Sequence, residues 1–309
     1  MYVIAKLARR NLNSPGRTQP RGHSQHRSDA HSPPWLIFGL ALLFGLLLIP
    51  AANPRVRNAG SVIPISQSLC DEMKVHQVLN ARAPVGCERL KLIKFSYVDF
   101  DGRLVDDGEI VVMDAAAAHV LDIFAALRKI RFPIAKARLM NHYDGNDDAS
   151  MADNNTSAFN VRAITGGDTL SLHAYGLAID INPVQNPFAK RSGATLTFSP
   201  PVGVENANRL NDRPEKPKRL GMAEAVIDIF ADHGFLIWGG YWDDPIDYQH
   251  FQVSRKLAER LAKLPPDQAR AVYDRQVQRY RTCRRTLPQG PESRAKCIMA
   301  VDAEGLTSD

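Results

Sequence analysis

The spacing of apolar and polar positions changes character several times along the chain. Trp35 to Ala52 (WLIFGLALLFGLLLIPAA) is an uninterrupted apolar run of 18 residues without a charge, with Pro50 near its end. A membrane-spanning helix needs about 17–25 such residues, so this run predicts a short span. Residues 53–66 lack a period and read as a linker. From Leu90 the pattern alternates through LKLIKFSYVDF, turns at Asp101-Gly102, and alternates again through RLVDDGEIVVM, which predicts a hairpin. Asp114 is placed to cap a helix over Ala115–Lys129, with Val120, Ile123, Phe124 and Leu127 as its buried stripe. A short strand is expected at Ala137–His142. The run Asp144–Ser157 (DGNDDASMADNNTS) is polar and crowded with turn formers, which predicts a functional or flexible loop. Beyond it come FNVRAI, then TLSLHAYGLAIDIN, a Pro/Gly/Asn-rich loop from Pro183 to about Pro217, and a helix over Met222–His233 stopped by Gly234. Strand-like FLIWGG and DYQHFQV follow, and from Ser254 two helical patterns are split by Pro265-Pro266. The whole reads as α+β, a small antiparallel sheet with flanking helices. Its organisation is a basic arm (1–34), an apolar anchor or signal (35–52), a linker with an N-terminal cysteine pair (53–89), a central domain (90–253) and a basic helical extension (254–309).

The chain has 309 residues, 44% hydrophobic and 23% charged, long enough for a sizeable core and not disordered in composition. Its net charge of +6 would suggest nucleic acid if it were concentrated where a core forms. It is not: residues 1–34 carry +5, residues 254–309 carry +5, and residues 53–253 carry −4. No stripe of Lys and Arg interleaved with aromatics appears in the middle, which excludes a nucleic-acid footprint. The basic flank before Trp35 predicts a cytoplasmic N-terminus and export of everything after Ala52; a cleaved signal peptide is the alternative and exports the same part. Cys70, Cys87, Cys283 and Cys297 all follow the apolar run, as two close pairs. They predict Cys70–Cys87 and Cys283–Cys297 disulfides in an oxidising compartment, since no CxxC spacing supports zinc ligation by them.

The chemistry concentrates in two segments. In Leu177–Asn182, alternation puts Leu177, Ile179 and Ile181 on one face and Ala178, Asp180 and Asn182 on the other. A carboxylate in so apolar a strand is costly unless paired or metal-bound. Gly176 allows a turn that folds His173 back near Asp180. Asp247–Phe251 (DYQHF) is the second ionisable pair in an apolar setting. His173, Asp180 and His250 together make a two-histidine, one-carboxylate set, the three ligands of a catalytic zinc with an open fourth position. Asp247, at the entry to its strand, is placed to act as base toward a water whose pKa zinc lowers to about 7. Arg162, in the otherwise apolar FNVRAI, is the group for a developing oxyanion.

SLHAYGLAIDINP, with its S-x-H-x-x-G-x-A-x-D pattern, followed by WGG and DYQHF, resembles the LAS family of zinc peptidases. These are D-alanyl-D-alanine carboxypeptidases and L-alanyl-D-glutamate endopeptidases, and the upstream DDASMADNNTSAFNVR resembles the VanY-like carboxypeptidase branch. The likeness covers roughly Leu90–Val253. It implies one zinc per chain on His173, Asp180 and His250, carried on the sheet, with Asp247 as general base and Arg162 stabilising the transition state. It also implies hydrolysis of peptidoglycan stem peptides, as a D-alanyl-D-alanine carboxypeptidase or alternatively as an endopeptidase. With the apolar run, this places the domain in the bacterial envelope, anchored by a single span in the inner membrane or secreted if that segment is cleaved. A non-catalytic zinc-binding recognition module is the reading from another class; intact Asp247 and Arg162 speak for catalysis.

Ser171, Trp238 and Gly239 are assigned to substrate binding; Trp238-Gly239-Gly240 and Tyr241-Trp242 read as the lining of a substrate groove, since glycines let a peptide approach the backbone closely, with a packed strand end as the competing reading. Asp147, Asp148, Asp153, Asn154 and Asn155 show no calcium-ligand spacing and read as a solvated loop next to the active site.

Overall fold

The computed structural model describes residues 60–304. The apolar run Trp35–Ala52 lies outside the described residues, and among those residues no helix is long and apolar enough to cross a membrane. The first described element corrects the linker expectation: β1 (Gly60–Pro64) is a strand, paired antiparallel with the first strand of the predicted hairpin. The segment follows the sheet edge because Val62 and Ile63 sit opposite Ile93 and Leu92. After α1 (Gln67–Val75), capped by the Ser66 hydroxyl, the hairpin forms as expected from β2 (Leu90–Val98) and β3 (Leu104–Met113).

Helix α2 (Ala117–Lys129) lies across this sheet and buries Val120, Ile123, Phe124 and Leu127, the stripe read from the sequence. The Phe124 ring stacks on Phe95 of β2 at 3.7 Å. Asp114 does not cap the helix, which begins without a side-chain cap. Its carboxylate instead takes a forked pair of bonds from Arg89, Nε to Oδ2 at 2.8 Å and Nη2 to Oδ1 at 3.1 Å. A buried guanidinium needs its counter-charge more than the helix end needs a cap.

The strand expected at Ala137–His142 is absent; Met140–Tyr143 is a 3-10 turn. Where a neighbouring strand would bond, the Asn155 side chain does so, accepting from the Arg138 N–H and donating to the Arg138 carbonyl. The polar run that follows is not a solvated loop either. It holds α3 (Asp147–Ala152), capped by Asn146, and its Asn155 and Thr156 are fully buried.

Three short strands form the second sheet, in the order β4 (Ala178–Asp180), then His250–Gln252, then Ile237–Trp238, all antiparallel. Between them in the chain come β5 (Phe188–Ser192), β6 (Thr195–Ser199) and α4 (Ile227–Asp232). The helix expected over Met222–His233 is thus broken, its first turn being 3-10 (Ala223–Ala225), and it ends at His233 before Gly234 with φ +94°. β7 is Ile237–Trp238, β8 is Ile246–Asp247, and β9 is His250–Gln252. β8 pairs with β5 in a third small sheet. Phe251 of β9 stacks on Phe230 of α4 at 3.9 Å, joining the second sheet to the helices.

The C-terminal part is three helices rather than two: α5 (Arg255–Lys263), α6 (Pro266–Arg285) and α7 (Pro291–Glu304). It does not stand apart from the domain. Leu257, Ala258, Leu261 and Tyr273 belong to the main core, and Arg89 donates to the Leu261, Ala262 and Leu264 carbonyls at the end of α5. Both disulfides, Cys70–Cys87 and Cys283–Cys297, are formed; the second joins α6 to α7.

Candidate metal centre and cleft

Two backbone features bring the three expected ligands together. In the β4–β9 pairing Asp180 stands directly opposite His250. Upstream, Leu172–Tyr175 is a 3-10 turn capped by the Ser171 hydroxyl, which accepts from the His173 N–H at 3.3 Å. Gly176 then takes φ +66°, and a Cβ there would lie 2.6 Å from the Met113 backbone nitrogen. Only glycine satisfies both the left-handed turn and this approach to β3. The turn folds His173 back over Asp180, as the sequence predicts, with Nε2 at 3.1 Å from Oδ2.

His173, Asp180 and His250 are all buried, and their ligand atoms lie within 4.8 Å of one another. The His173 Nδ1–H donates to the Ala158 carbonyl, which leaves Nε2 with its lone pair turned inward. His250 directs Nε2 at the Gln252 Oε1 at 2.8 Å, leaving Nδ1 at 2.9 Å from the Asp180 Oδ1 and 3.2 Å from the His173 Nε2. Two imidazole lone pairs and a carboxylate thus converge on one point in a buried place, and such a set repels itself unless a cation lies between. Outer hydrogen bonds to a carbonyl and an amide oxygen are the arrangement that orients histidine ligands toward a metal. The residues present therefore fit a tetrahedral N₂O zinc site with one position open.

Without an ion, a proton takes its place. Burial works to lower the His250 pKa, but the Asp180 carboxylate outweighs it and raises it to about 9. Burial likewise works to raise the Asp180 carboxyl, and His173 and His250 hold it well below the usual carboxylate range. A metal binding here displaces that proton. A second group of His119, Asp122 and His233 also lies within ligand distance. There Arg281 already brings a positive charge to 3.1 Å from His233 Nδ1, so it is the buried set whose charge calls for an ion.

Beside the three ligands opens a cleft of about 310 Å³ lined among others by Asp147, Arg162, Ser171, Trp242, Asp247 and His250. Asp247 ends β8 opposite Phe188 of β5, and the turn at Tyr248-Gln249 separates it from His250. That break lets both side chains reach the cleft, where one continuous strand would point them apart. The Asp247 Oδ1 is buried with no partner. Burial, then repulsion by Asp180, pushes its carboxyl up to about 7. Arg162 is ion-paired through Nη2 to the Asp147 Oδ2 at 2.8 Å, while its buried Nε–H has no partner. Burial raises the Asp147 carboxyl as well.

Of the residues expected to bind substrate, Ser171 lines the cleft and also caps the His173 turn. Trp238 and Gly239 do not line it. Trp238 is buried, its indole N–H donating to the Tyr248 carbonyl at 2.8 Å. A Cβ on Gly239 would lie 2.6 Å from the Asp247 carbonyl oxygen, so this glycine seats Asp247. The packed strand end is the reading that holds for this pair. The groove reading of Tyr241-Trp242 holds for Trp242, which forms the aromatic wall, 5.6 Å from the His250 ring between centroids. Asp147 and Asp148 line the cleft, as a loop next to the active site would, but the part Asp147 plays and the presence of Arg255 were missed. Asp147 sat in a polar run whose helix was not visible as a period, and Arg255 fell in what read as a separate extension.

No curated protein and no solved structure gave a match to this chain. A family described as D-alanyl-D-alanine carboxypeptidase matches residues 165–253, a segment that contains His173, Asp180, Asp247 and His250 and begins just after Arg162. That match, over less than a third of the chain, supports the likeness to VanY-like LAS peptidases that the sequence motifs implied.

Proposed function

We propose that this protein is a zinc-dependent D-alanyl-D-alanine carboxypeptidase acting on peptidoglycan stem peptides in the bacterial envelope. The observation that carries the reading is the convergence of His173, Asp180 and His250 lone pairs beside a cleft that also holds Asp247 and Arg162. The family description supports the peptidase class, and the two disulfides suit an oxidising compartment. Trp35–Ala52 then anchors the chain in the inner membrane by a single span, or leaves it secreted if cleaved.

His173, Asp180 and His250 would hold the ion. When bound there, zinc supplies Lewis-acid chemistry, lowering a water's pKa to about 7 and polarising a carbonyl. Asp247 takes the proton of the attacking water at its unpartnered oxygen, then returns it to the leaving amine nitrogen. Arg162, held in place by Asp147, directs guanidinium N–H donors at the carbonyl oxygen as it gains charge. Trp242 walls the cleft and limits water around the reacting groups.

The test is incubation of the full-length, zinc-loaded protein with a defined pentapeptide stem and mass spectrometry of the products. Loss of one terminal alanine, abolished by chelation, is the expected result. Release of a fragment cut between L-Ala and D-Glu would move the protein to the endopeptidase reading, which uses the same catalytic residues. Bound zinc with no cleavage would leave a recognition module.

A further inference from the structure

Two guanidinium groups line the cleft, and their charges are differently placed. Arg162 is neutralised by Asp147 at 2.8 Å. Arg255 has no comparable partner. Its Nη2 donates to the Leu170 carbonyl at 2.8 Å, and Glu259, one turn further along α5, stands 3.9 Å from Nη1, beyond hydrogen-bond range. An i,i+4 pair of this kind is worth only a few tenths of a kcal/mol, about 0.2–0.5, so the weak contact with Glu259 does not commit the guanidinium. That group is held by a backbone carbonyl from another segment, Leu170, which leads directly into Ser171 and the His173 turn. The tether fixes the guanidinium plane at the wall of the cleft, with 39% of the side chain still exposed and its remaining N–H donors free of a close carboxylate.

A planar fork whose carboxylate neighbour, Glu259, stands off at 3.9 Å keeps N–H donors for a closer carboxylate, which it can take through two parallel bonds. The cleft holds a peptide of only a few residues at about 310 Å³. A chain end that lies one residue beyond the scissile bond, about 3.6 Å further along, therefore stays inside it. We propose that Arg255 is the anion-recognition residue of this cleft and binds the free C-terminal α-carboxylate of the peptide. The proposal rests on the peptidase reading and deepens it: Arg255 makes the enzyme one that requires a chain terminus. It is a specificity residue, acting on where the peptide sits and not on the proton transfers.

The experiment uses the full-length, zinc-loaded protein and two N-acetylated stem pentapeptides, one ending in free D-alanine and one in its carboxamide. The wild type is expected to favour the acid by about 10–100-fold in kcat/KM, the range of a charge-assisted hydrogen-bond pair, with the difference in KM. In Arg255→Ala the two peptides become equal, and Arg255→Lys, which keeps the charge but not the fork, keeps part of the preference. Equal cleavage of acid and amide by the wild type, or an equal loss on both in Arg255→Ala, overturns the proposal while leaving the peptidase reading intact. If the wild type cuts neither peptide, the peptidase reading fails. Calorimetric binding of the same two uncleaved peptides then decides the role of Arg255. A preference for the acid that disappears in Arg255→Ala upholds it, and equal or absent binding overturns it.

Discussion

Replacing Asp247 by asparagine should move stability and activity in opposite directions. The Asp247 carboxyl is raised from 3.8 to about 7, first by burial and then by the negative charge of Asp180. A carboxyl whose pKa is higher in the fold than in the unfolded chain prefers its proton in the fold. Its ionisation therefore costs nothing below about pH 3.8, costs progressively more as the pH rises toward 7, and costs its full amount above that. A shift of this size corresponds to on the order of 4 kcal/mol, which relaxation and water at the cleft wall reduce to about 2 kcal/mol. Asparagine has the same shape and no charge to bury. Metal-depleted Asp247→Asn should accordingly resist urea better than metal-depleted wild type at pH 8, and the advantage should vanish near pH 4. With zinc restored, the same substitution removes the base, and kcat should fall by about 10²–10⁴-fold. In the wild type kcat/KM should decline on the acid side as Asp247 takes a proton. The bound dication will move that limb below pH 7 by favouring the carboxylate, and the variant should lack it. A variant that is less stable than wild type at pH 8, or that keeps activity within tenfold, would refute the reasoning and make Asp247 a structural residue.

Three further predictions can be checked on the same protein. Zinc at 100 times its dissociation constant should stabilise the chelator-treated chain by about 2.7 kcal/mol in thermal or urea unfolding; His173→Ala should lose the effect and His119→Ala should keep it, and the reverse would place the ion at the second histidine pair. Arg89→Met leaves the Asp114 carboxylate buried and unpaired and frees three carbonyls at the end of α5, so urea unfolding should show a loss of about 3–5 kcal/mol. A loss below about 1 kcal/mol would mean that the pair does not hold α5 to the hairpin. Burial, then Arg281 and His119, lowers the His233 pKa to about 4. A histidine that resists protonation only in the fold contributes stability that is fully present above its unfolded value of about 6.5. That stability is lost as the pH falls from there through 4, and the loss should be absent in His233→Gln when unfolding is followed across that range.

Part of this protein is legible residue by residue. The alternation in β2 and β3, the apolar stripe of α2 and the turn at Gly176 follow from local spacing, since a strand repeats every second residue and a helix every 3.6. The metal-ligand candidates could be chosen because few side chains bind a cation, and an aspartate amid Leu177, Ile179 and Ile181 has little else to do. The cysteine pairs were readable from their closeness in the chain. What the spacing could not supply was any contact between distant segments. The β4–β9 register that sets Asp180 opposite His250 joins residues 70 positions apart. Asp114 looked like a helix cap until packing offered it Arg89, and Gly239 looked like a groove residue until β8 laid Asp247 against it. Asp147 and Arg255 became cleft residues through the same long-range packing, which brings α3 and α5 around the ligands and selects Trp242 from among the groove candidates. Local sequence sets which atoms can do chemistry. Only the close-packed interior, where each buried charge must find its counter-charge, decided which of them meet.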